Sequence, residues 1–249
     1  MKKLNIFTFF FVLTGTANIH ADEIQVAVAA NFAGPLKSIA ADFEKESGHK
    51  LVIAADATRK LYAQIKNGAP FEIFLSADQE TPSKLAKEGD AVPSTQYTYA
   101  IGKLALWSTK ANFVDSKGEV LKTGNFTHIA LANPKTAPYG AAGVEVMQKL
   151  GVLDALSPKF VQGENIAQTY QFISTGNAEL GFVALSQVIK DGQIADGSGW
   201  IVDPNLYSPI KQDAILLTKG KAHKAAETFL FYLQSIKTKA NIRKFGYEI

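Results

Sequence analysis

The chain has 249 residues, enough for one large domain or two smaller ones with a sizeable core. Its 47% hydrophobic and 20% charged residues are typical of a folded globular protein, and a formal net charge of +3 argues against binding to nucleic acid by broad electrostatics. Cysteine is absent, which excludes disulfide scaffolds, cysteine-ligated zinc, iron–sulfur clusters and thiol nucleophiles.

Residues 1–21 have the pattern of an export signal. Lys2 and Lys3 precede a short apolar run at positions 6–13, and small residues follow as far as Ala21. The run is far shorter than the roughly 20 apolar residues that a membrane-spanning helix needs. We expect cleavage after Ala21, which leaves 249 − 21 = 228 residues as a soluble periplasmic protein. Because no cysteine follows the cleavage point, we expect no lipid anchor.

Strand and helix patterns alternate from residue 24 onward. Strands are predicted at 24–29, 51–55 and 71–76. The helix between the first two is indicated by apolar residues at helical spacing from Leu36 to Phe43, and the next helix by residues 59–66. This β-α-β-α-β order predicts a parallel sheet with right-handed crossovers.

A second unit follows the same order without a flexible linker between the two. Its predicted strands are at 103–108, 128–132, 159–162 and 180–184, with helices at 141–150 and 166–176, and a strand at 214–218 and a helix at 226–233 come later. We therefore expect an α/β protein with two lobes, each a mainly parallel sheet flanked by helices, and a ligand cleft between them. We assign residues 22–102 and 210–249 to lobe 1 and residues 103–209 to lobe 2.

Four strand-to-helix turns carry groups suited to an anion. They start at Ala30, Asp56, Ala137 and Gly163. A helix N-terminus carries roughly half a positive charge, so four converging ends would supply about two, the match for a dianion. The alternative is that Asn31, Thr58 and Asn165 simply cap their helices.

A longer stretch and three short motifs carry a family resemblance. Residues 60–78 include Gln-Ile, Gly-Ala-Pro and a strand ending in Ser-Ala-Asp, and the shorter motifs are at 148–151, 156–159 and 245–247. In these the chain resembles the periplasmic molybdate-binding proteins, the solute receptors of molybdate ABC importers. The resemblance implies the two-lobed fold of type II periplasmic binding proteins, molybdate or tungstate as ligand, and a membrane permease as partner of a monomer.

The same resemblance implies a set of anion ligands. Asn31, preceded by Ala30, stands where the family usually has a serine, and Thr58 falls at the binding serine of the second loop. Tyr139 and Ile166 would each supply a backbone N–H, and the Tyr139 hydroxyl is a further candidate donor.

Arg59 completes the candidate set. It could bind the anion directly, since a charged hydrogen bond is worth roughly 1.5–3 kcal/mol. It could instead pair with Asp56, which would otherwise repel an anion, or lie in solvent at a helix start.

Two other functions remain open. The same donors would suit another tetrahedral oxyanion, such as sulfate, phosphate or chromate, selected by pocket size. An enzyme on a similar fold would need an acid–base pair, and the four turns offer only the carboxylates of Asp56 and Glu164. We expect a binding protein without catalytic residues or a cofactor. The four histidines have no metal-ligand spacing, so molybdenum would be bound as an oxyanion rather than at a cation site.

Overall fold

A computed structural model describes residues 21–249, and the predicted export signal lies outside them except for Ala21. In chain order, the first elements are β1 Glu23–Ala29, α1 Ala33–Ser47, β2 Lys50–Asp56, α2 Thr58–Lys66, β3 Ile73–Leu75, α3 Glu80–Lys87 and β4 Tyr97–Gly102. The middle of the chain forms β5 Leu104–Ser108, α4 Val120–Thr123, β6 Ile129–Ala132, α5 Pro138–Lys149, α6 Leu153–Leu156, β7 Phe160–Gly163, α7 Ile166–Ser174, β8 Leu180–Ala184, β9 Ile189–Lys190, β10 Gln193–Ile194 and β11 Ser198–Ile201. The last elements are β12 Ile210–Leu216, α8 Lys224–Leu233 and α9 Ile236–Lys244.

The strands form two five-stranded sheets of the same design. The order is β2-β1-β3-β12-β4 in one and β11-β5-β8-β6-β7 in the other. In each sheet three adjacent strands are parallel, a fourth is antiparallel, and the strand beyond it runs with the first three. The chain passes from the first sheet to the second between β4 and β5 and returns between β11 and β12.

Helices cover both faces of each sheet because their apolar stripes need a partner. In the first sheet, α1, α8 and α9 bury residues such as Phe43, Phe229 and Ile242 on one face, and α2 and α3 bury Leu61 and Leu85 on the other. In the second sheet, α5 packs on one face and α7 on the other. Within the described range, no helix combines the length and apolar character needed to cross a membrane.

The α/β architecture with two mainly parallel sheets, expected from the sequence, is confirmed. Some bounds differ: the strand predicted at 71–76 shortens to Ile73–Leu75, and the one predicted at 214–218 begins earlier, at Ile210. The helix predicted at 141–150 starts at Pro138, which is tolerated there because the first helical N–H has no partner within the helix. The sequence did not predict α3, β4 or the short strands β9 to β11.

Candidate functional site

A small cavity lies between the lobes, where the four strand-to-helix turns meet. Its walls include Ala30 and Asn31 after β1, Asp56 at the end of β2, Thr58 at the start of α2, Tyr139 at the start of α5 and Ile166 at the start of α7. The cavity measures ≈ 10 Å³, about the room that one water needs. Five of the six residues expected to bind the ligand are thus brought together: Ala30, Asn31, Thr58, Tyr139 and Ile166.

Two of the helices that start at this cavity have no side-chain cap. The helices α2 and α5 begin after Ala57 and Ala137, neither of which provides a side-chain cap. Thr58 is the first residue of α2 and does not cap it, so the capping interpretation is wrong for Thr58. It is right for Asn165, whose side chain accepts the N–H groups of Ala167 and Gln168.

Thr58 has its hydroxyl proton available for a ligand. The residue is 1% exposed, and its Oγ1 accepts the backbone N–H of Ala77 at 3.1 Å. A hydroxyl has one proton to donate. Because the Ala77 contact uses an acceptor site, the proton remains free to point into the cavity.

The Asn31 side chain belongs to a buried polar network. Its Nδ2 donates to Gln212 Oε1 at 2.8 Å and to the Tyr247 hydroxyl at 3.0 Å. Gln212 Oε1 also accepts from the Tyr99 hydroxyl at 3.1 Å, and Gln212 Nε2 donates to the Tyr139 hydroxyl at 3.1 Å. In this arrangement both amide N–H groups of Asn31 are used inside the protein.

Three phenols surround this network and stay protonated at neutral pH. Burial raises the pKa of Tyr247 to about 12 and places those of Tyr99 and Tyr139 well above their usual value. A phenolate here would repel an anion, whereas a neutral hydroxyl donates to it. The network therefore offers hydrogen bonds without negative charge.

Several contacts join the lobes around the cavity. Asn165 Nδ2 donates to Asp56 Oδ1 at 3.0 Å, and the Arg59 N–H donates to the Thr136 carbonyl at 3.2 Å. Lys60 Nζ lies 2.5 Å from Glu164 Oε2, and this hydrogen bond raises the pKa of Lys60. The structure is therefore a closed conformation.

Asp56 is the charged residue on the cavity wall within the described part of the chain. Its Oδ1 accepts the Ala57 N–H at 2.7 Å as well as the Asn165 side chain. These two donors and the start of α2 offset much of its negative charge.

Arg59 does not line this cavity. Its guanidinium lies 3.7 Å from Glu80, and its side chain is 56% exposed. The expectation that Arg59 is a direct ligand is not supported, because Arg59 lines a separate groove together with Glu80 and is absent from the walls of the cavity. The alternative pairing with Asp56 is also absent from the ion pairs of the described residues, since Asp56 is instead bonded to Asn165.

Gln212 was missed by the sequence reasoning, although it touches two candidate ligands. It is 0% exposed and lies in β12, near the point where the chain returns to the first lobe. The available signal was weak: a polar Lys-Gln-Asp run within a strand that is otherwise apolar.

Two lobes joined by two crossing segments, closed over a cavity of neutral donors, define a type II solute-binding protein. Residues 24–248 match the family model described as "Bacterial extracellular solute-binding protein". The chain is 56% identical to the molybdate-binding protein ModA of Azotobacter vinelandii, over 91% of this chain and 90% of that one. It is 52% identical to ModA of Rhodobacter capsulatus, over 91% and 88%.

A solved structure agrees with these relatives. The periplasmic molybdate-binding protein of Azotobacter vinelandii superposes with a TM-score of 0.87 at 43% identity, covering 91% of this chain and 99% of that one. The chain therefore belongs to the family of bacterial extracellular solute-binding proteins, in which these molybdate-binding proteins are its relatives.

Proposed function

We propose that this protein binds molybdate in the periplasm and delivers it to the membrane permease of an ABC importer. The observation that carries the proposal is the closed cavity where uncharged donors from both lobes meet, at Asn31, Thr58, Tyr139 and Ile166. The molybdate-binding proteins of Azotobacter vinelandii and Rhodobacter capsulatus, at 56% and 52% identity, support the choice of ligand.

Binding exchanges the hydration shell of the dianion for protein donors. The Thr58 hydroxyl acts from lobe 1, and the first-turn N–H groups of Tyr139 and Ile166 act from lobe 2. Since the donors come from both lobes, the anion makes all its hydrogen bonds only when the cleft is closed, and it therefore favours closure. The permease would then recognise the closed form.

The proposal also covers the choice between anions, the bounds of the two lobes and the state in which the protein acts. Tungstate has the same charge and shape as molybdate and is expected to bind as well, whereas sulfate is smaller and would leave donors out of reach. Lobe 1 is taken as residues 22–102 and 210–249 and lobe 2 as residues 103–209, a division supported by strand membership in the two sheets. The protein would act as an exported monomer without a cofactor or catalytic activity.

Thermal unfolding of the mature protein tests the ligand. The protein is titrated with molybdate, tungstate, sulfate, phosphate and chromate, and the affinities are then measured by calorimetry. A ligand at 100 times its dissociation constant stabilises by about 2.7 kcal/mol. No response to any of the five would overturn the proposal, and a tighter response to sulfate or phosphate would replace molybdate as the ligand.

A further inference from the structure

Gln212 connects the two lobes immediately behind the cavity. Its Oε1 accepts from Asn31 of lobe 1, and its Nε2 donates to the hydroxyl of Tyr139, which belongs to α5 of lobe 2. Both partners line the cavity, whereas Gln212 is absent from its walls. Gln212 can therefore act on a ligand only through these two side chains.

A bulge in β4 lies opposite Gln212. The pairing of β12 with β4 shifts register between Gln212 and Asp213, which are paired with Ala100 and Thr98, so the extra residue of the bulge is Tyr99 of β4. Bulges redirect side chains next to binding sites. The Tyr99 hydroxyl donates to Gln212, whereas Asp213, on the next position of β12, accepts from Gln96 and Thr98.

Gly102 leaves the space that the Gln212–Tyr139 hydrogen bond occupies. A Cβ at Gly102 would lie 2.1 Å from the Tyr139 hydroxyl and 2.5 Å from Gln212 Nε2. Both distances are far inside van der Waals contact. The hydrogen bond thus depends on a position without a side chain, at the segment where the chain crosses between the lobes.

The number of protons on each group determines which groups donate and which accept in the hydrogen-bond network around Gln212. The Tyr139 hydroxyl has one proton and accepts a hydrogen bond from Gln212, so this proton is not used by Gln212 and can be donated to a ligand or to the nearby Tyr247 hydroxyl. The side-chain amides of Gln212 and Asn31 could each be rotated by 180°, which exchanges their oxygen and nitrogen atoms. Gln212 Oε1 would then accept the Tyr139 proton, and an N–H of Asn31 would be free to donate to a ligand instead. Gln212 therefore allows either Tyr139 or Asn31 to donate to a ligand, but not both side chains together.

We propose that Gln212 is a positioning residue that holds the Tyr139 hydroxyl as a donor to the bound oxyanion, with Asn31 fixing the orientation of Gln212. The proposal rests on the proposed function and assigns the donor within it. In this arrangement Asn31 serves the anion through its backbone, while its side chain donates to Gln212 and to Tyr247.

A double-mutant cycle with molybdate, measured by calorimetry, tests the proposal. Gln212→Met keeps the size and removes the hydrogen bonds, and Tyr139→Phe removes the donor. Each is expected to weaken binding about 10- to 100-fold, the effect of losing one hydrogen bond to a charged group. The double variant should bind no more weakly than the weaker single variant, because both changes remove the same donor. Gln96→Met, which removes an amide bonded to Asp213 but not to Tyr139 or Asn31, should bind as the original protein does.

The variant Gln212→Glu adds a second test, the pH dependence of molybdate binding, which a purely structural role of Gln212 would not affect. A carboxyl buried at this position has a raised pKa, and only its protonated form can donate to Tyr139. Molybdate binding by Gln212→Glu should be weak at pH 8 and recover toward pH 5.5, whereas that of Gln212→Met should not. The titratable groups facing this position are the phenols of Tyr99, Tyr139 and Tyr247, which burial keeps neutral over this range.

The outcomes separate this proposal from the function itself. Failure of the original protein to bind molybdate would reject the proposed function. If the original protein binds, unchanged affinity in Tyr139→Phe, or independent losses that multiply in the double variant, would reject the role of Gln212 alone. Unfolding curves of each variant identify any that fail to fold, in which case the pH recovery of Gln212→Glu decides.

Discussion

Asn165 and Asp56 hold the lobes together across the cavity, with Asn165 Nδ2 donating to Asp56 Oδ1 at 3.0 Å. The Oδ1 of the same Asn165 accepts the N–H groups of Ala167 and Gln168, both at 3.0 Å, and so caps α7. One side chain thus fixes a helix of lobe 2 and bonds to lobe 1.

These two roles of Asn165 are separable by substitution. Asn165→Ala removes both and should lower the free energy of unfolding by about 1 kcal/mol, the usual effect of losing a helix cap. Asn165→Ser retains the cap but is too short to reach Asp56, so it should keep the stability and weaken molybdate binding about tenfold. Urea unfolding and calorimetry measure the two effects. Full affinity in Asn165→Ser would show that the contact with Asp56 does not support closure.

Thr58 provides a test of the hydroxyl donor in the proposed site. Thr58→Val keeps the shape but removes the proton for the ligand and leaves the Ala77 N–H without its acceptor. We expect at least tenfold weaker molybdate binding and a loss of about 1–3 kcal/mol in the free energy of unfolding.

Thr58→Ser is the matched control. It retains the hydroxyl and should bind molybdate within a few-fold of the original protein. Equal affinity for all three proteins would remove Thr58 from the ligand set, even if Thr58→Val were less stable.

Arg59→Ala tests whether a nearby cation contributes to binding. The Arg59 side chain is 56% exposed and pairs with Glu80 rather than lining the cavity. Exposed pairs of this kind contribute about 0–1 kcal/mol to stability. We expect the molybdate affinity to change less than about twofold at physiological ionic strength. A tenfold loss would mean that Arg59 reaches the anion in solution.

Much of the fold was predictable because its periodic patterns are local. The strands β1 and β6 and the helices α1 and α7 follow apolar spacing that a short window reveals. By contrast, β4 reads Tyr-Thr-Tyr-Ala-Ile-Gly and forms a strand because it pairs with β12, more than a hundred residues later in the chain. Local propensity does not contain that pairing.

The candidate site also has a part that was predictable from local sequence and a part that was not. Its helix starts were predictable from strand-to-helix turns, because these occupy one edge of a parallel sheet. Gln212 was not, because its contacts join it to Asn31 across 181 positions and to Tyr139 across 73. The position of Arg59 was also beyond prediction, since a flexible side chain at a helix start can point to either side.

Alkaline pH should destabilise the protein through its buried phenols. An unfolded tyrosine has a pKa near 10, and burial raises the pKa of Tyr247 to about 12. A raised pKa in the folded state means that the stability is fully present below about pH 10 and is lost as the pH rises toward 12. Each such phenol contributes a slope of up to about 1.4 kcal/mol per pH unit.

Urea unfolding at pH 8.5, 10 and 11 measures this slope. The free energy of unfolding should fall above pH 10, and Tyr247→Phe should show a shallower fall, whatever its stability at pH 8.5. Identical slopes for the two proteins would contradict the assignment of a raised pKa to Tyr247.

Gly102→Ala should hinder closure while leaving each lobe folded. The added Cβ would lie 2.1 Å from the Tyr139 hydroxyl and 2.5 Å from Gln212 Nε2. Because Tyr139 is 1% exposed and the adjoining cavity has room for only about one water, we expect the lobe that carries Tyr139 to move away. We expect molybdate binding to weaken at least tenfold, with the free energy of unfolding of the ligand-free protein changed much less.

Small-angle X-ray scattering with molybdate distinguishes hindered closure of the lobes from a local disturbance of the binding site. If closure is hindered, Gly102→Ala should remain more extended than the original protein at equal ligand saturation. Gly34→Ala is the control, because a Cβ at that position meets no atom within 4 Å. It should close and bind normally. If Gly102→Ala closes and binds like the control, Tyr139 and Gln212 rearrange without cost, and their contact does not set the closed state.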